Sequence, residues 1–182
     1  INNQILNNGG GVPGLMWGVG IELVHSDNNI VSNNTISNNV LGGIVLSSSH
    51  NNIVNYNMFT NDSVFLSSSA ENIVSDNVFT SNSGVTIDDS STRNTIEHNQ
   101  FKGGSIGIGR SSTNVIRGNT ITESTIAIGI AEMSTNNTVV GNTISNNLYG
   151  IKIHLSNGSI IHHNNFINNT VNVPEDVYPN IN

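Results

Sequence analysis

The chain has 182 residues, of which 35% are hydrophobic and 9% are charged, and its formal net charge is −7. Its five Lys and Arg residues are too few for the basic stripe that phosphate binding requires, so nucleic acid is excluded as a partner. No run of 18 apolar residues is present, which excludes a membrane-spanning helix, and the lack of Cys excludes disulfides and thiolate metal sites.

The first 17 residues contain a half-coil and an inserted loop. Ile1–Ile5 is typical of the second half of a repeat, so we expect the chain to be a piece of a larger protein whose N-terminus and targeting signal lie outside it. Residues 9–17 form a Gly-rich insertion that ends in Trp17, the only Trp of the chain. Such insertions map to loops on one face of a repeat protein, often the binding face. The sequence supports two alternatives equally: a ligand-binding loop carrying Trp17, and an end cap that shields an open sheet edge.

The rest of the chain repeats the pattern Ser-x-x-Asn-x-[Ile/Val]-x-x-Asn-x-[Ile/Phe] seven times, with the first Asn replaced once, by Ser159. The repeats begin at Ser26, Ser49, Ser69, Ser91, Ser111, Ser134 and Ser156. The spacing between them varies only from 20 to 23 residues. A fixed period of this size predicts a solenoid, in which each unit buries its apolar face by stacking on its neighbours.

Each repeat holds three short apolar stretches, which we call its first, second and third strands. Their inward residues are β-branched, aliphatic or aromatic and recur at alternate positions, in stretches too short for helices. In the first strands these residues are Ile21/Leu23, Ile44/Leu46, Val64/Leu66, Val85/Ile87, Ile106/Ile108, Ile128/Ile130 and Ile151/Ile153. In the second strands they are Val31, Val54, Val74, Ile96, Ile116, Val139 and Ile161. In the third strands they are Ile36, Phe59, Phe79, Phe101, Ile121, Ile144 and Phe166. The pattern predicts an all-β parallel β-helix over residues 1–170, with about 22 residues per coil and seven coils after a leading half-coil.

The asparagines between the second and third strands predict a structural row along the helix. They are Asn34, Asn57, Asn77, Asn99, Asn119, Asn142 and Asn164. We expect each to occupy a sharp bend, where Asn tolerates left-handed backbone, and each side-chain amide to donate to and accept from the next coil. The Ser-x-x-Asn corner between the first and second strands should form a similar row. Residues 171–182 leave the period and contain two prolines, so we expect a C-terminal tail or cap.

One charged group of residues falls on consecutive coils at the end of the first strand. It consists of Asp88, Asp89, Arg110 and Glu132. As a catalytic group, Asp89 and Glu132 would lie roughly 9–10 Å apart by sheet spacing, near the upper limit for an inverting acid and base, with Arg110 holding the sugar. As a structural group, the same residues form an exposed row of ion pairs. The sequence favours the ion-pair interpretation. Glu22 and Lys152, on the outward side of the first strands, are candidate ligand-binding residues together with Trp17.

Other polar side chains give weaker candidates. Tyr56, Asp76 and His98 follow one another on the outside of the second strand and its bend, beside Glu97 and Arg117, and resemble the base and cation that a uronate lyase or epimerase needs. His162 and His163 are adjacent on one strand and should point to opposite sides, so no metal site and no cofactor are expected. The outward row of the second strands is unusually apolar: Ile30, Ile53, Ile73, Thr95, Val115, Thr138 and Ile160. Surface β-propensity is the favoured explanation, and a surface for packing against a partner or another domain is the alternative.

Three segments resemble a known family: residues 33–39 (NNTISNN), 141–147 (GNTISNN) and 163–169 (HNNFINN). These segments are similar in sequence to the repeats of NosD-type right-handed parallel β-helix proteins, especially archaeal surface and secreted members. This group overlaps the carbohydrate-binding and sugar-hydrolysis β-helices. The resemblance covers residues 18–170 and implies a right-handed helix in a secreted, periplasmic or cell-surface protein. NosD itself is linked to copper-enzyme maturation. The chain has no Cys, no His-rich tract and no Met cluster, so a copper role is not carried over.

The sequence therefore favours a non-catalytic, extracellular or surface β-helix module with a structural or carbohydrate-binding role, whose partner is a polysaccharide or a cell-surface glycan. The first alternative is a polysaccharide hydrolase, lyase or epimerase with its site along the first strands. The second alternative is a filament or adhesin subunit that associates through its coil ends or its apolar outer row.

Overall fold

The computed structural model describes residues 3–8 and 18–173. Within these ranges it contains 22 strands and no helix, and the strands pair only in parallel, as three sheets wound into one β-helix. The prediction of an all-β parallel β-helix with three strands per coil is confirmed. No helix in the described ranges is long and apolar enough to span a membrane.

Each sheet stacks one strand from every coil in chain order. The first sheet consists of β2 (Val19–Val24), β5 (Gly42–Ser47), β8 (Val64–Ser67), β11 (Gly84–Asp88), β14 (Ser105–Gly109), β17 (Ile126–Ala131) and β20 (Tyr149–Ile153). The second sheet consists of β3 (Ile30–Ser32), β6 (Ile53–Asn55), β9 (Ile73–Ser75), β12 (Thr95–Glu97), β15 (Val115–Arg117), β18 (Thr138–Val140) and β21 (Ile160–His162). The third sheet consists of β1 (Gln4–Leu6), β4 (Thr35–Ser37), β7 (Met58–Thr60), β10 (Val78–Thr80), β13 (Gln100–Lys102), β16 (Thr120–Thr122), β19 (Thr143–Ser145) and β22 (Asn165–Ile167).

The core lies inside the coil and is built from columns of like residues. Because the sheets are in register, the residue at one position of a coil pairs with the same position of the next, as Phe59 does with Phe79 and Phe79 with Phe101. The three rings stack with centroids 4.6 Å apart. Each fully buried aliphatic or aromatic side chain stabilises the fold by about 1.5–3 kcal/mol.

A row of amides runs through the second corner, which joins the second and third strands. Asn57 shows the pattern: its Nδ2 donates to Oδ1 of Asn77 at 3.1 Å and to the carbonyl of Val31 at 2.9 Å. The main-chain N–H of Asn57 donates to the same Oδ1 at 2.9 Å. The equivalent amide bonds join each coil to the next from Asn34 to Asn164. The buried side-chain amides of the ladder asparagines therefore have partners within the protein.

The backbone of this corner differs from the expectation. The residue with left-handed φ is the one that precedes each ladder asparagine, and no ladder asparagine has positive φ. The residues with positive φ are Asn33, Tyr56, Asp76, His98, Gly118, Gly141 and His163. The chain thus turns at the residue before each ladder asparagine, and the asparagine that follows points its side-chain amide into the coil.

The first corner, which joins the first and second strands, holds the expected rows of Ser and Asn. Ser49 N–H donates to Oγ of Ser69 at 3.0 Å, and Asn52 Nδ2 donates to Oδ1 of Asn72 at 3.1 Å. The amide row stops at Ser159, whose buried Oγ has no partner, because a hydroxyl does not reach as far as an amide.

The described start of the C-terminal tail stays on the helix. The main-chain N–H groups of Gly150 and Ile151 donate to the carbonyls of Val171 and Asn172 at 2.8 Å, so these residues extend the first sheet beyond β20. Residues 174–182 of the tail lie outside the described ranges, as does the inserted loop 9–17.

Candidate functional site

The charged group predicted from the repeat lies at one edge of the first sheet. Asp88 is the last residue of β11, while Asp89, Arg110 and Glu132 directly follow β11, β14 and β17. The last three have left-handed φ values of 51°, 44° and 56°. Because equivalent residues of successive coils are stacked at strand spacing, their side chains meet in one column on the outside of the first corner.

Arg110 holds the three carboxylates together. Its Nη2 lies 2.6 Å from Oδ2 of Asp88 and 3.0 Å from Oδ1 of Asp89, and its Nη1 donates to Oε2 of Glu132. The second oxygen of Asp89 accepts from the hydroxyl of Ser67 at 3.1 Å. The second oxygen of Asp88 accepts from the main-chain N–H of Asp89 at 2.8 Å. Both oxygens of each aspartate are therefore engaged within the protein.

The electrostatics of this group disfavour acid catalysis by Asp89. The hydrogen bond from Arg110 lowers the pKa of the Asp89 carboxyl, and the hydrogen bond from Ser67 lowers it further. The bond to Asp89 and the charges of Asp88 and Glu132 raise the pKa of Arg110, which stays charged. A glycosidase acid needs a raised pKa so that it carries a proton at working pH. The geometry suits an exposed ion-pair group that joins three coils.

Replacing Arg110 by alanine is expected to raise the pKa of Asp89 towards its ordinary value, because the largest cause of the lowered pKa is removed. A carboxyl with a lowered folded-state pKa stabilises the fold above its unfolded pKa and loses that contribution as the pH falls through the folded pKa. In Arg110→Ala the ionised Asp89 should therefore stabilise the fold less, so less stability should be lost when the pH falls. A ¹³C NMR titration of the aspartate carboxyls measures the pKa directly.

Ser67→Ala is the matched control for Arg110→Ala, since it removes only the second cause and should move the Asp89 pKa less. An unchanged Asp89 pKa in Arg110→Ala would show that the ion pair does not form in solution.

The structure does not bring the other predicted ligand residues together. Glu22 lies in β2 and Lys152 in β20, the two end strands of the first sheet. Six strand spacings separate them, roughly 29 Å, so one sugar ring cannot contact both. The ammonium of Lys152 lies 5.7 Å from the centroid of the Tyr149 ring. Trp17 lies outside the described residues.

The second candidate group remains on an open corner. Tyr56, Asp76 and His98 are exposed and occupy the left-handed position directly after β6, β9 and β12. Beside them, Nε of Arg117 lies 2.6 Å from Oε2 of Glu97, so the cation of this group is already paired with a carboxylate.

The prediction for His162 and His163 was wrong. Their Nδ1 atoms lie 2.6 Å apart, and the rings meet edge to face. The alternation of a strand does not apply to them, because β21 ends at His162 and His163 takes a left-handed φ of 55°. No third His, Cys, Asp or Glu of the described ranges joins them to form a metal-binding group.

A shallow depression at the third corner, which joins each third strand to the next first strand, was missed from the sequence. It is lined by residues 39–42 and 61–63, Phe65 and Asn82. Phe65 lies over Gly42, where a Cβ atom would come within 2.8 Å of its ring. The signal was present in the sequence, because the longer loop 38–41 carries two exposed apolar residues, Val40 and Leu41.

The third corner also holds a third polar row that the sequence did not predict. Its members are Asn8, Asn39, Asp62, Ser83, Gly104, Ser124, Asn147 and Asn169. The Asn-Asn pairs that follow β1, β4, β19 and β22 could have indicated it, since the second Asn of each pair belongs to the row.

Comparisons with known proteins point to one family. A family model described as "Periplasmic copper-binding protein (NosD)" matches residues 1–179. No curated protein matches the chain. Two solved structures are similar. An alginate lyase from Paenibacillus sp. str. FPU-7 has a TM-score of 0.52 and 16% identity, over 85% of this chain and 76% of that chain. The A-module of the mannuronan C-5 epimerase AlgE4 from Azotobacter vinelandii has a TM-score of 0.49 and 14% identity, over 85% of this chain and 53% of that one.

This chain spans about half the length of the epimerase module. At 16% identity the likeness to the lyase shows the fold alone. Copper binding needs several donor atoms close together. Within residues 3–8 and 18–173 no group of three His, Cys, Asp or Glu could hold a metal ion, and the imidazoles of His162 and His163 meet as a pair. The described residues therefore do not fit a copper centre.

Proposed function

Because this chain belongs to the NosD family, we propose that it is a non-catalytic β-helix module of a larger periplasmic, extracellular or cell-surface protein, with a structural or carbohydrate-binding role. The family description as periplasmic supports a location outside the cytoplasm.

The observation that carries the proposal is the closed state of the charged group. Arg110 is occupied by the carboxylates of Asp88, Asp89 and Glu132, so it has no free direction in which to clamp a sugar acid. The hydrogen bond from Arg110 lowers the pKa of Asp89, which does not suit this carboxyl as the acid of a hydrolase. What remains is a polar rod, in which hydrogen bonds at the three corners join successive coils.

The outer side of the first sheet supports the carbohydrate-binding role. In its outward row, Gly107 and Gly129 lie between Thr86 and Lys152. A Cβ atom at Gly107 would meet nothing within 4 Å, so the main chain is open there to a flat ligand. A polysaccharide lying along the rod would reach Lys152 at one end of this strip, and the ammonium would attract an acidic sugar.

The test is a panel of acidic and neutral polysaccharides, assayed for binding by glycan array and for cleavage by new reducing ends or unsaturated products. We expect binding without turnover, and binding that survives the double change Asp89→Ala and Glu132→Ala. Lys152→Ala should weaken binding of acidic glycans alone, because only these depend on the ammonium.

Turnover that disappears in Asp89→Ala and Glu132→Ala would overturn the proposal in favour of a polysaccharide enzyme. Absence of binding across the panel would leave the structural role and remove the carbohydrate-binding one. Self-association through the coil ends or the apolar outer row is the remaining alternative, and sedimentation of the chain at several concentrations would detect it.

A further inference from the structure

Asp62 is the one carboxylic acid in the polar row of the third corner. Its side chain is buried, with 3% of the residue exposed. Its Oδ2 accepts two hydrogen bonds from Asn39, from the main-chain N–H at 3.0 Å and from Nδ2 at 2.8 Å. Its own N–H donates to Oγ of Ser83 at 3.0 Å. Its Oδ1 is buried and has no partner.

The asparagines of the same row show what the atom equivalent to Oδ1 of Asp62 does, because their Nδ2 atoms occupy that position. Nδ2 of Asn39 donates to the carbonyl of Ile5 at 3.2 Å, Nδ2 of Asn147 to that of Ile121 at 3.1 Å, and Nδ2 of Asn169 to that of Ile144 at 2.8 Å. In each case the acceptor is the middle residue of the third-sheet strand in the preceding coil. The pattern of the row therefore favours a hydrogen-bond donor at the atom equivalent to Oδ1 of Asp62.

By the register of the third sheet, the corresponding carbonyl for Asp62 belongs to Ile36, which pairs with Ile5 on one side and Phe59 on the other. An ionised Asp62 would set a charged acceptor towards a carbonyl oxygen, away from water. A buried polar group without a partner destabilises the fold, and a buried charge without one destabilises it more. A proton on Oδ1 would remove the charge and supply the missing donor.

We propose that Asp62 is held in its neutral, protonated form, with the proton on Oδ1 donated to the main-chain carbonyl of Ile36, and that ionisation of Asp62 loosens the third corner around the loop 38–41. Burial raises the pKa of this carboxyl, against the lowering effect of the two bonds from Asn39, which agrees with the geometry. The residues against Asp62 and around the depression are Asn39, Ser83, Gly43, Phe65, Asn61 and Asn82, none of which titrates.

The sign of the pH effect follows from the raised pKa. The unfolded chain loses this proton at a lower pH than the folded chain, so the folded state binds more protons in the range between the two pKa values. The contribution of Asp62 to stability is therefore complete in acid and is lost as the pH rises through the folded-state pKa. Since Asn39 is bonded to Asp62, we expect the same change to loosen the exposed Val40 and Leu41 beside it.

The experiment compares thermal unfolding of the natural chain and Asp62→Asn from about pH 4 to about pH 8. The amide supplies a permanent donor of the same shape, so the variant should unfold at the same temperature in acid. At the upper end of the range the variant should unfold about 2–4 °C higher. Asp76→Asn, at an exposed position, is the matched control, and its effect at the upper end of the range should be smaller than that of Asp62→Asn.

A second measurement uses the natural chain alone, so it does not depend on the stability of a variant. The ¹³C chemical shift of the Asp62 carboxyl should remain that of the protonated form while the exposed aspartates of the same sample ionise. Titration of Asp62 together with the exposed aspartates would overturn the proposal. A difference between Asp62→Asn and the natural chain that is constant over the pH range would also overturn it.

Discussion

Replacing Phe79 by alanine is expected to lower the free energy of unfolding by about 3–5 kcal/mol. Phe79 is fully buried, and its ring lies between those of Phe59 and Phe101, with interplanar angles of 6° and 5°. Alanine would remove both ring contacts and leave a cavity that the neighbouring coils cannot fill, because their positions are set by the strand hydrogen bonds. Urea unfolding followed by circular dichroism gives the change.

Phe65→Ala is the matched control for Phe79→Ala, since Phe65 lies on the outer side of the first sheet and is only half-buried. Its effect should be well below that of Phe79→Ala. A loss of less than about 1 kcal/mol for Phe79→Ala, typical of surface positions, would show that the aromatic column does not hold the coils together.

The second large effect is expected for Asn77→Ala, which should cost at least about 3 kcal/mol. Asn77 is buried, and its Oδ1 accepts from the N–H of Asn57 at 2.9 Å and from the Nδ2 of Asn57 at 3.1 Å. Its Nδ2 donates to Oδ1 of Asn99 at 3.0 Å and to the carbonyl of Val54 at 2.9 Å. Alanine would leave several buried polar groups without partners in the middle of the rod, and the same urea experiment measures the loss.

Asn165→Ala serves as the control for Asn77→Ala, because Asn165 is exposed on β22 and outside the amide rows. It should change stability by no more than about 0.5 kcal/mol. Equal effects of the two substitutions would contradict a structural role for the ladder.

The fold was predictable because the same pattern of apolar positions recurs in every repeat. Seven coils repeat the same apolar positions, so an error at one coil is corrected by the other six. The position of the left-handed residue was not predictable from that pattern, because Asn stands at both Asn33 and Asn34 in the coil that shows the motif most clearly. The pair His162 and His163 was misjudged for a related reason, since a three-residue strand ends before alternation can be extended through it.

The candidate site was only partly predictable. The repeat alignment placed Asp89, Arg110 and Glu132 at equivalent positions of successive coils, where Arg110 pairs with both carboxylates. Which atoms pair depends on side-chain rotamers, and these decide between an open catalytic group and a closed ion-pair group. The third polar row escaped notice because its members alternate among Asn, Asp, Ser and Gly, so no single letter marks it.

The amide row of the second corner has a direction. Each ladder Asn from Asn57 to Asn142 donates from Nδ2 forwards to Oδ1 of the following coil and backwards to a carbonyl of the preceding one. Every interior coil therefore presents the same set of donors and acceptors to the coil on either side. Removing one whole repeat would join surfaces that already match, whereas removing half of one would set unlike groups against each other. Such a chain can change its length by whole repeats, in steps of one strand spacing, without altering the hydrogen bonds of this row.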